Sequence, residues 1–181
     1  MKTLYFDLGM GAAGDMLTGA LLELMPDREA ALEQLNRLGL PHTQFSMEQG
    51  SNCGISGTHI HVTVLGQEEQ PCQDEPRHEQ EHAHDHGHSH TAMADIRQTV
   101  QALSVSDAVK ARVLEVYARI AQAESQVHGV SVSEIHFHEV GTLDALADIT
   151  AVCYLLEQLS PERIVASPVQ VGYGKIRCAH G

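Results

Sequence analysis

The sequence predicts an α/β fold, a mixed sheet covered by helices and interrupted by a disordered histidine-rich loop. Three observations predict it. A short apolar strand, Leu4-Tyr5-Phe6, runs through a glycine-rich turn into an amphipathic helix. Residues Gln44 to Leu65 change to a period of two, and the chain after Ala92 returns to helical spacing. With 181 residues the chain has room for one domain with a sizeable core. The expected organisation is an α/β segment over 1–65, the loop over 66–91, and a helical and α/β remainder of the same domain over 92–181.

Each element has a local reason. Asp7 ends the first strand, and Gly9-Met10-Gly11-Ala12-Ala13-Gly14-Asp15 makes the turn. A helix follows from about Asp15 to Met25, with Met16, Leu17, Ala20, Leu21 and Leu24 on one face, and Pro26 ends it. A second helix opens at Asp27, carries Leu32, Leu35 and Leu38, and stops at Gly39. Between 44 and 65 the spacing predicts two strands broken near Gly50 to Gly54; His59 and His61 share a face, expected to meet solvent on an edge strand.

Gly66 to Thr91 has no periodicity and is dominated by acidic and histidine residues, the composition of a solvated loop. Helices are then expected from about Ala92 to Leu103 and from Asp107 to His128, the latter capped by Ser106. Val109, Val113, Val116, Ile120, Ala123 and Val127 form its expected core face. Ser131 to Glu134 has capping-box spacing. A last helix covers Leu143 to Leu159, ending before Pro161, and Arg163 to Val171 reads as a strand.

Composition narrows the function. Lys+Arg number 11 against 24 Asp+Glu, a formal charge of −13, which repels phosphate backbones and anionic lipid and argues against nucleic acid or membrane as partner. The N-terminal segment meets Asp7 and Asp15 before a long apolar run builds, so neither signal peptide nor membrane span is expected and the protein reads as cytoplasmic. Four cysteines without a CxxC pair suit reduced thiols. Thirteen histidines are the anomaly, and six of them crowd between His78 and His90.

Three candidate sites follow. At the glycine turn, backbone N–H groups and a helix N-terminus favour an anion, with Gly11 and Gly14 allowing close approach. Asp15 there is also an ordinary capping carboxylate, and Asp7 with Asp15 can form half of a divalent-cation site. No GxxxxGK[ST] is present. The second candidate is Ile135-His136-Phe137-His138-Glu139-Val140-Gly141-Thr142-Leu143-Asp144 with Asp148. His136 and His138 project to one side of an extended stretch, and Asp144 and Asp148 lie at i and i+4 of a helix, a set suited to nickel, zinc or manganese. HExxH is absent, which disfavours a zinc protease. The third is the run His78, His82, His84, His86, His88 and His90, whose neutral imidazoles gather Ni²⁺, Zn²⁺ or Cu²⁺ without imposing geometry. Cys178-Ala179-His180 offers a thiolate and an imidazole but no third ligand.

Three stretches together resemble the N-terminal half of the LarC family of nickel insertases. They are Leu4-Tyr5-Phe6-Asp7 through Gly11-Ala12-Ala13-Gly14-Asp15-Met16, His136-Phe137-His138-Glu139-Val140-Gly141 through Asp144 and Asp148-Ile149, and Ser167-Pro168 through Val171-Gly172 to Cys178-Ala179-His180-Gly181. The resemblance implies insertion of Ni²⁺ into a pyridinium bisthiocarboxylate mononucleotide to make the nickel-pincer cofactor, with CTP and Mg²⁺ or Mn²⁺. It also implies a C-terminal half, associated with CTP binding, as partner of this chain; a homo-oligomer is a further expected assembly. Chemistry then assigns His136, His138, Glu139, Asp144 and Asp148 as metal ligands or their supports. Asp7, Asp15, Glu139 and Asp144 are the expected reacting-site carboxylates, Gly11 and Gly14 the phosphate cradle, and His82, His84, His86, His88 and His90 the nickel-gathering loop. Two other readings stand beside it: a nickel store or delivery protein acting by loop chelation alone, and a metal-dependent hydrolase in which His136, His138 and Asp144 activate water.

Overall fold

The computed structural model describes residues 1–52, 54–68, 91–137 and 139–173. The α/β class holds, with parallel and antiparallel strands distributed over three small sheets. Strand β1 (Thr3–Phe6) pairs in parallel with β7 (Arg163–Ala166), Thr3 opposite Arg163 and Phe6 opposite Ala166. Strands β2 (Thr43–Asn52) and β3 (Ile55–Val64) form an antiparallel hairpin, to which β4 (Gln67–Glu68) adds on the far side of β3. Strand β5 (Thr91–Ala92) pairs with β6 (His136–Phe137).

The five helices among the described residues begin and end for local reasons. Helix α1 (Gly14–Glu23) starts behind Ala13 without a side-chain cap. In α2 (Arg28–Leu35) the Asp27 carboxylate accepts from the Ala30 N–H at 2.9 Å. It ends at Leu35 rather than at Gly39, because Asn36 turns its side chain to β2: its Nδ2 donates to the Phe45 carbonyl at 2.9 Å and its Oδ1 accepts from the Phe45 N–H at 2.7 Å. In α3 (Met93–Ala102) the Asp95 carboxylate reaches back to the Ala92 N–H. Ser106 caps α4 (Asp107–His128), and Gly129 closes it in the left-handed conformation at φ 68°. Thr142 caps α5 (Leu143–Leu159) through the Ala145 N–H.

Several expectations need correction. The strand after Arg163 stops at Ala166, since Pro168 has no N–H to continue the ladder. The chain stays tied to β1 through Ser167 N–H to the Phe6 carbonyl and Gln170 N–H to the Leu8 carbonyl. The buried face of α4 is Val109, Val113, Tyr117 and Ala121, a straight i, i+4 row, whereas Val127 is 80% exposed. Of the expected loop over 66–91, Gln67, Glu68 and Thr91 are strand residues, and 69–90 lie outside the described residues. The bend from β3 to β4 is two residues, Leu65 and Gly66, both with positive φ, the backbone of a tight hairpin turn. It places β3 between β2 and β4 in strand order, but β4 pairs only with Thr63 and Val64, so among the described residues His59 and His61 have a strand partner on the β2 side alone, in keeping with the expected edge position.

Helix α5 is the spine. Its Ala147, Ala151, Leu155 and Leu159 join one core with Leu21, Leu22, Leu35, Phe45 and Ile60. Its Leu146 and Cys153 join a second core with Ile96, Val109, Val113, Tyr117 and Phe137. A helix buried on two sides has to be apolar nearly all round, as Leu143 to Leu159 is. Glycine lets α1 lie on the hairpin: a Cβ on Gly19 would stand 2.7 Å from the Thr58 carbonyl oxygen. Cys153 is a buried free thiol whose pKa burial pushes up to about 11; the other three cysteines fall outside the described residues.

Candidate functional site

The turn after β1 is built by short-range bonds. Asp7 Oδ1 accepts from the Gly9 N–H at 3.2 Å, and the Gly11 N–H donates to the Leu8 carbonyl at 3.0 Å with Gly11 at φ 97°. Only glycine adopts that backbone without strain, so Gly11 is explained by the turn itself. The segment after β7 closes on the same turn: Leu8 N–H donates to Ser167 Oγ at 2.8 Å, and the Gln170 carbonyl lies under Gly11. On the other side Gly14 sits directly against Asp148 of α5, and a Cβ on Gly14 would overlap the Asp148 side chain. Three separated stretches of sequence thus meet at the N-terminus of α1.

The remaining candidates are distributed as follows. Asp144 lies in the first turn of α5, one helical turn before Asp148, where a carboxylate suits the positive end of the helix dipole. His136 is exposed on β6 while its neighbour Phe137 is buried. His138 and the loop histidines His82, His84, His86, His88 and His90 lie outside the described residues, as does Cys178-Ala179-His180. Glu139 falls in a short 3-10 turn, Glu139–Gly141, that leads into α5.

The hydroxyls of Thr18, Tyr117 and Thr150 are buried without a hydrogen-bond partner among the described residues. Burial raises the Tyr117 pKa first, and the Asp148 charge adds to it. A buried hydroxyl with no partner costs stability, so Tyr117→Phe should leave the unfolding free energy unchanged or raise it by up to about 1 kcal/mol. Urea denaturation reads this directly, and a clear loss of stability would contradict it.

A second group of side chains lies beside the turn, and it escaped the reading of the sequence. Glu48 on β2 is paired directly with His59 on β3. His61 follows two residues later on the same face, and one ligand atom from each of Glu48, His59 and His61 lies within 4.8 Å of the others. Glu48 Oε1 is 3.2 Å from His61 Nε2 and 3.7 Å from His59 Nδ1. The outer nitrogens also face carboxylates: His61 Nδ1 is 2.6 Å from Glu68 Oε1, and His59 Nε2 is 4.0 Å from Asp15 Oδ2. Asp15 thereby joins this cluster to the glycine turn.

The cluster fixes a titration. The hydrogen bond to Glu68, and then that to Glu48, raise the His61 pKa above 6.5, while the hydrogen bond from His61 lowers that of Glu48. For His61 the raised folded pKa means a stabilising contribution fully present below about 6.5, lost as pH rises through the folded value. For Glu48 the contribution is present above its unfolded pKa and is lost as pH falls through the lowered one. An imidazole NMR titration of the metal-free chain should place His61 above 6.5, with Glu68→Gln shifting it down further than Glu48→Gln; a midpoint at or below 6.5 would refute the pairing.

Two imidazoles and a carboxylate on one face are the donor set of proteins that handle first-row divalent metal ions. Among known proteins, the family described as nickel insertion protein matches residues 4–181, and the chain belongs to that family. A Lactiplantibacillus plantarum protein named pyridinium-3,5-bisthiocarboxylic acid mononucleotide nickel insertion protein is 39% identical over 181 residues, covering 100% of this chain and 43% of its own length. A Clostridium kluyveri protein of the same name is 38% identical over 183 residues, covering 100% of this chain and 44% of its own length. One from Akkermansia muciniphila is 34% identical over 183 residues. The chain therefore spans less than half the length of these curated relatives. No solved structure matches it. No described helix is long and apolar enough to cross a membrane.

Proposed function

We propose that this chain is the N-terminal, nickel-handling part of a CTP-dependent insertase that places Ni²⁺ in a pyridinium-3,5-bisthiocarboxylate mononucleotide. The observation that carries the reading is the meeting of the three family-like stretches at the N-terminus of α1, where Gly14 lies on Asp148 and Leu8 on Ser167. The substrate is anionic, and this end of the fold already holds Asp7, Asp15 and Asp148. Phosphate and carboxylates coexist there only with a cation between them, the role for Mg²⁺ or Mn²⁺ beside Asp7 and Asp15. Forming a nickel–carbon bond at the ring releases a proton, and Asp144 and Glu139 are the carboxylates assigned to accept it. His136, His138 and Asp148 complete the proposed metal-holding set, and the histidine-rich loop supplies the ion.

Two arms test this. The chain, alone and combined with the C-terminal region that its relatives carry, is incubated with Ni²⁺, CTP, Mg²⁺ or Mn²⁺ and the mononucleotide, and the nickelated product is weighed by mass spectrometry. Product is expected only in the combined arm, with at least a tenfold loss in Asp148→Asn. Product absent from both arms while the chain still binds nickel would instead favour a nickel store, and hydrolysis of phosphate or amide substrates lost in Asp144→Ala would favour a hydrolase.

A further inference from the structure

We propose that Glu48, His59 and His61 form a binding site for a divalent transition-metal ion on the outer face of the β2–β3 hairpin, with Glu68 and Asp15 as the carboxylates that position the two imidazoles. That the ion is nickel rests on the functional reading above; that a site exists rests on the hairpin alone. The pairing of β2 with β3 makes Glu48 and His59 direct cross-strand neighbours, and the period of two carries His61 onto their face. Ligands bound to one first-row metal at about 2.0–2.1 Å lie roughly 3 Å from each other. The Glu48 to His61 separation of 3.2 Å already has that value, and the 3.7 Å to His59 needs only a small rotation of half-exposed side chains.

Protonation geometry supports the assignment. Each imidazole presents one nitrogen to Glu48 and the other to a second carboxylate. When the outer N–H of His61 is donated to Glu68, its Nε2 lone pair is directed inward, where a metal ion takes it. Asp15 stands in the same relation to His59 at longer range. The carboxylate–imidazole half of such an arrangement is formed by Glu68 and His61 at 2.6 Å, and the 4.0 Å between Asp15 and His59 would have to shorten to make a second. The three ligands leave coordination positions open, and Glu48 and His59 are 62% and 52% exposed. An open site with three protein ligands takes up and releases its ion readily. Its place matters too: His59 adjoins Asp15 in the first turn of α1, so a bound ion would wait beside the glycine turn.

The test must silence the loop. The full chain carrying glutamine in place of His78, His82, His84, His86, His88 and His90, and of His136 and His138 so that the other proposed metal-holding set is silenced too, is titrated with NiCl₂ by calorimetry at pH 7.5, and CoCl₂ is used to read the ligand field by absorption. One ion per chain is expected. His59→Gln with His61→Gln should weaken it at least 100-fold, while Glu68→Gln should weaken it about 10- to 100-fold at unchanged stoichiometry. Because these side chains are on the surface, thermal melting of the variants should stay close to that of the parent, and this confirms that they fold. Nickel affinity that is unchanged in the double variant, or a loop-silenced chain that binds no nickel, overturns the site. Failure of the insertion assay leaves this binding result standing, so the two readings fail separately.

Discussion

Phe137→Ala is expected to lower the unfolding free energy by about 3–5 kcal/mol. The ring is 1% exposed and meets Tyr117 edge to face, with centroids 5.6 Å apart. Its backbone pairs with Thr91, and Gly141 approaches so closely that a Cβ there would stand 2.7 Å from the Phe137 Cβ. Neighbours held from three directions have little freedom to collapse into the space, so the cavity cost adds to the lost transfer energy. A domain of this size typically has about 5–15 kcal/mol to lose. Urea or thermal denaturation should therefore show a large shift, and a loss below about 1 kcal/mol would show that the second core is not organised around this ring.

Gly14→Ala should also destabilise, by about 1–3 kcal/mol, although local propensity predicts the opposite. Alanine within a helix is favoured over glycine by about 1 kcal/mol, so an isolated α1 would gain from the change. In the folded chain the new methyl would occupy the place of the Asp148 Cβ and Cγ, and the Cβ of a helical residue moves only with its backbone. Packing therefore outweighs propensity, and α1 and α5 are forced apart. Removing the obstacle tests the cause: Gly14→Ala with Asp148→Gly should show a favourable coupling of at least about 1 kcal/mol in a double-mutant cycle. Additive effects would mean that the contact is not what limits position 14.

What could be read in advance follows the range of the interactions. Helices α4 and α5 carry their own punctuation: Ser106 and Gly129 bound one, and Pro161 follows shortly after the end of the other. The strand break expected near Gly50 to Gly54, which falls at the Gly54 end of that range, and the capping box at Ser131 were legible for the same reason. Interactions across the fold were not. The end of α2 depends on Asn36 finding the backbone of β2, nine residues away. The Glu48, His59 and His61 cluster depends on register, and a signal for it existed. Asn52 pairs with Ile55, and counting outward from that pair brings Glu48 opposite His59. The pattern of alternation showed which residues share a face, but it carried no register, and the return of β4 across β3 was hidden in a segment without periodicity. The closeness of Gly14 to Asp148 lies beyond any local rule, since it arises where two helices meet.

The pairing of β1 with β7 has a consequence for how the protein is made. Thr3 and Arg163 are neighbours in the sheet, so β1 waits for its β7 partner until 160 further residues have been translated. At about 5–20 residues per second that interval is roughly 8–30 s. The β2–β3 hairpin needs only its own two arms, and hairpins close within about 1–10 μs once exposed. Its imidazoles and carboxylate can assemble once β3 has emerged, whereas the glycine turn gains its Ser167 and Gln170 ties only after β7 has followed. In a nascent chain the hairpin cluster is thus complete well before the segment after β7 can close on the glycine turn.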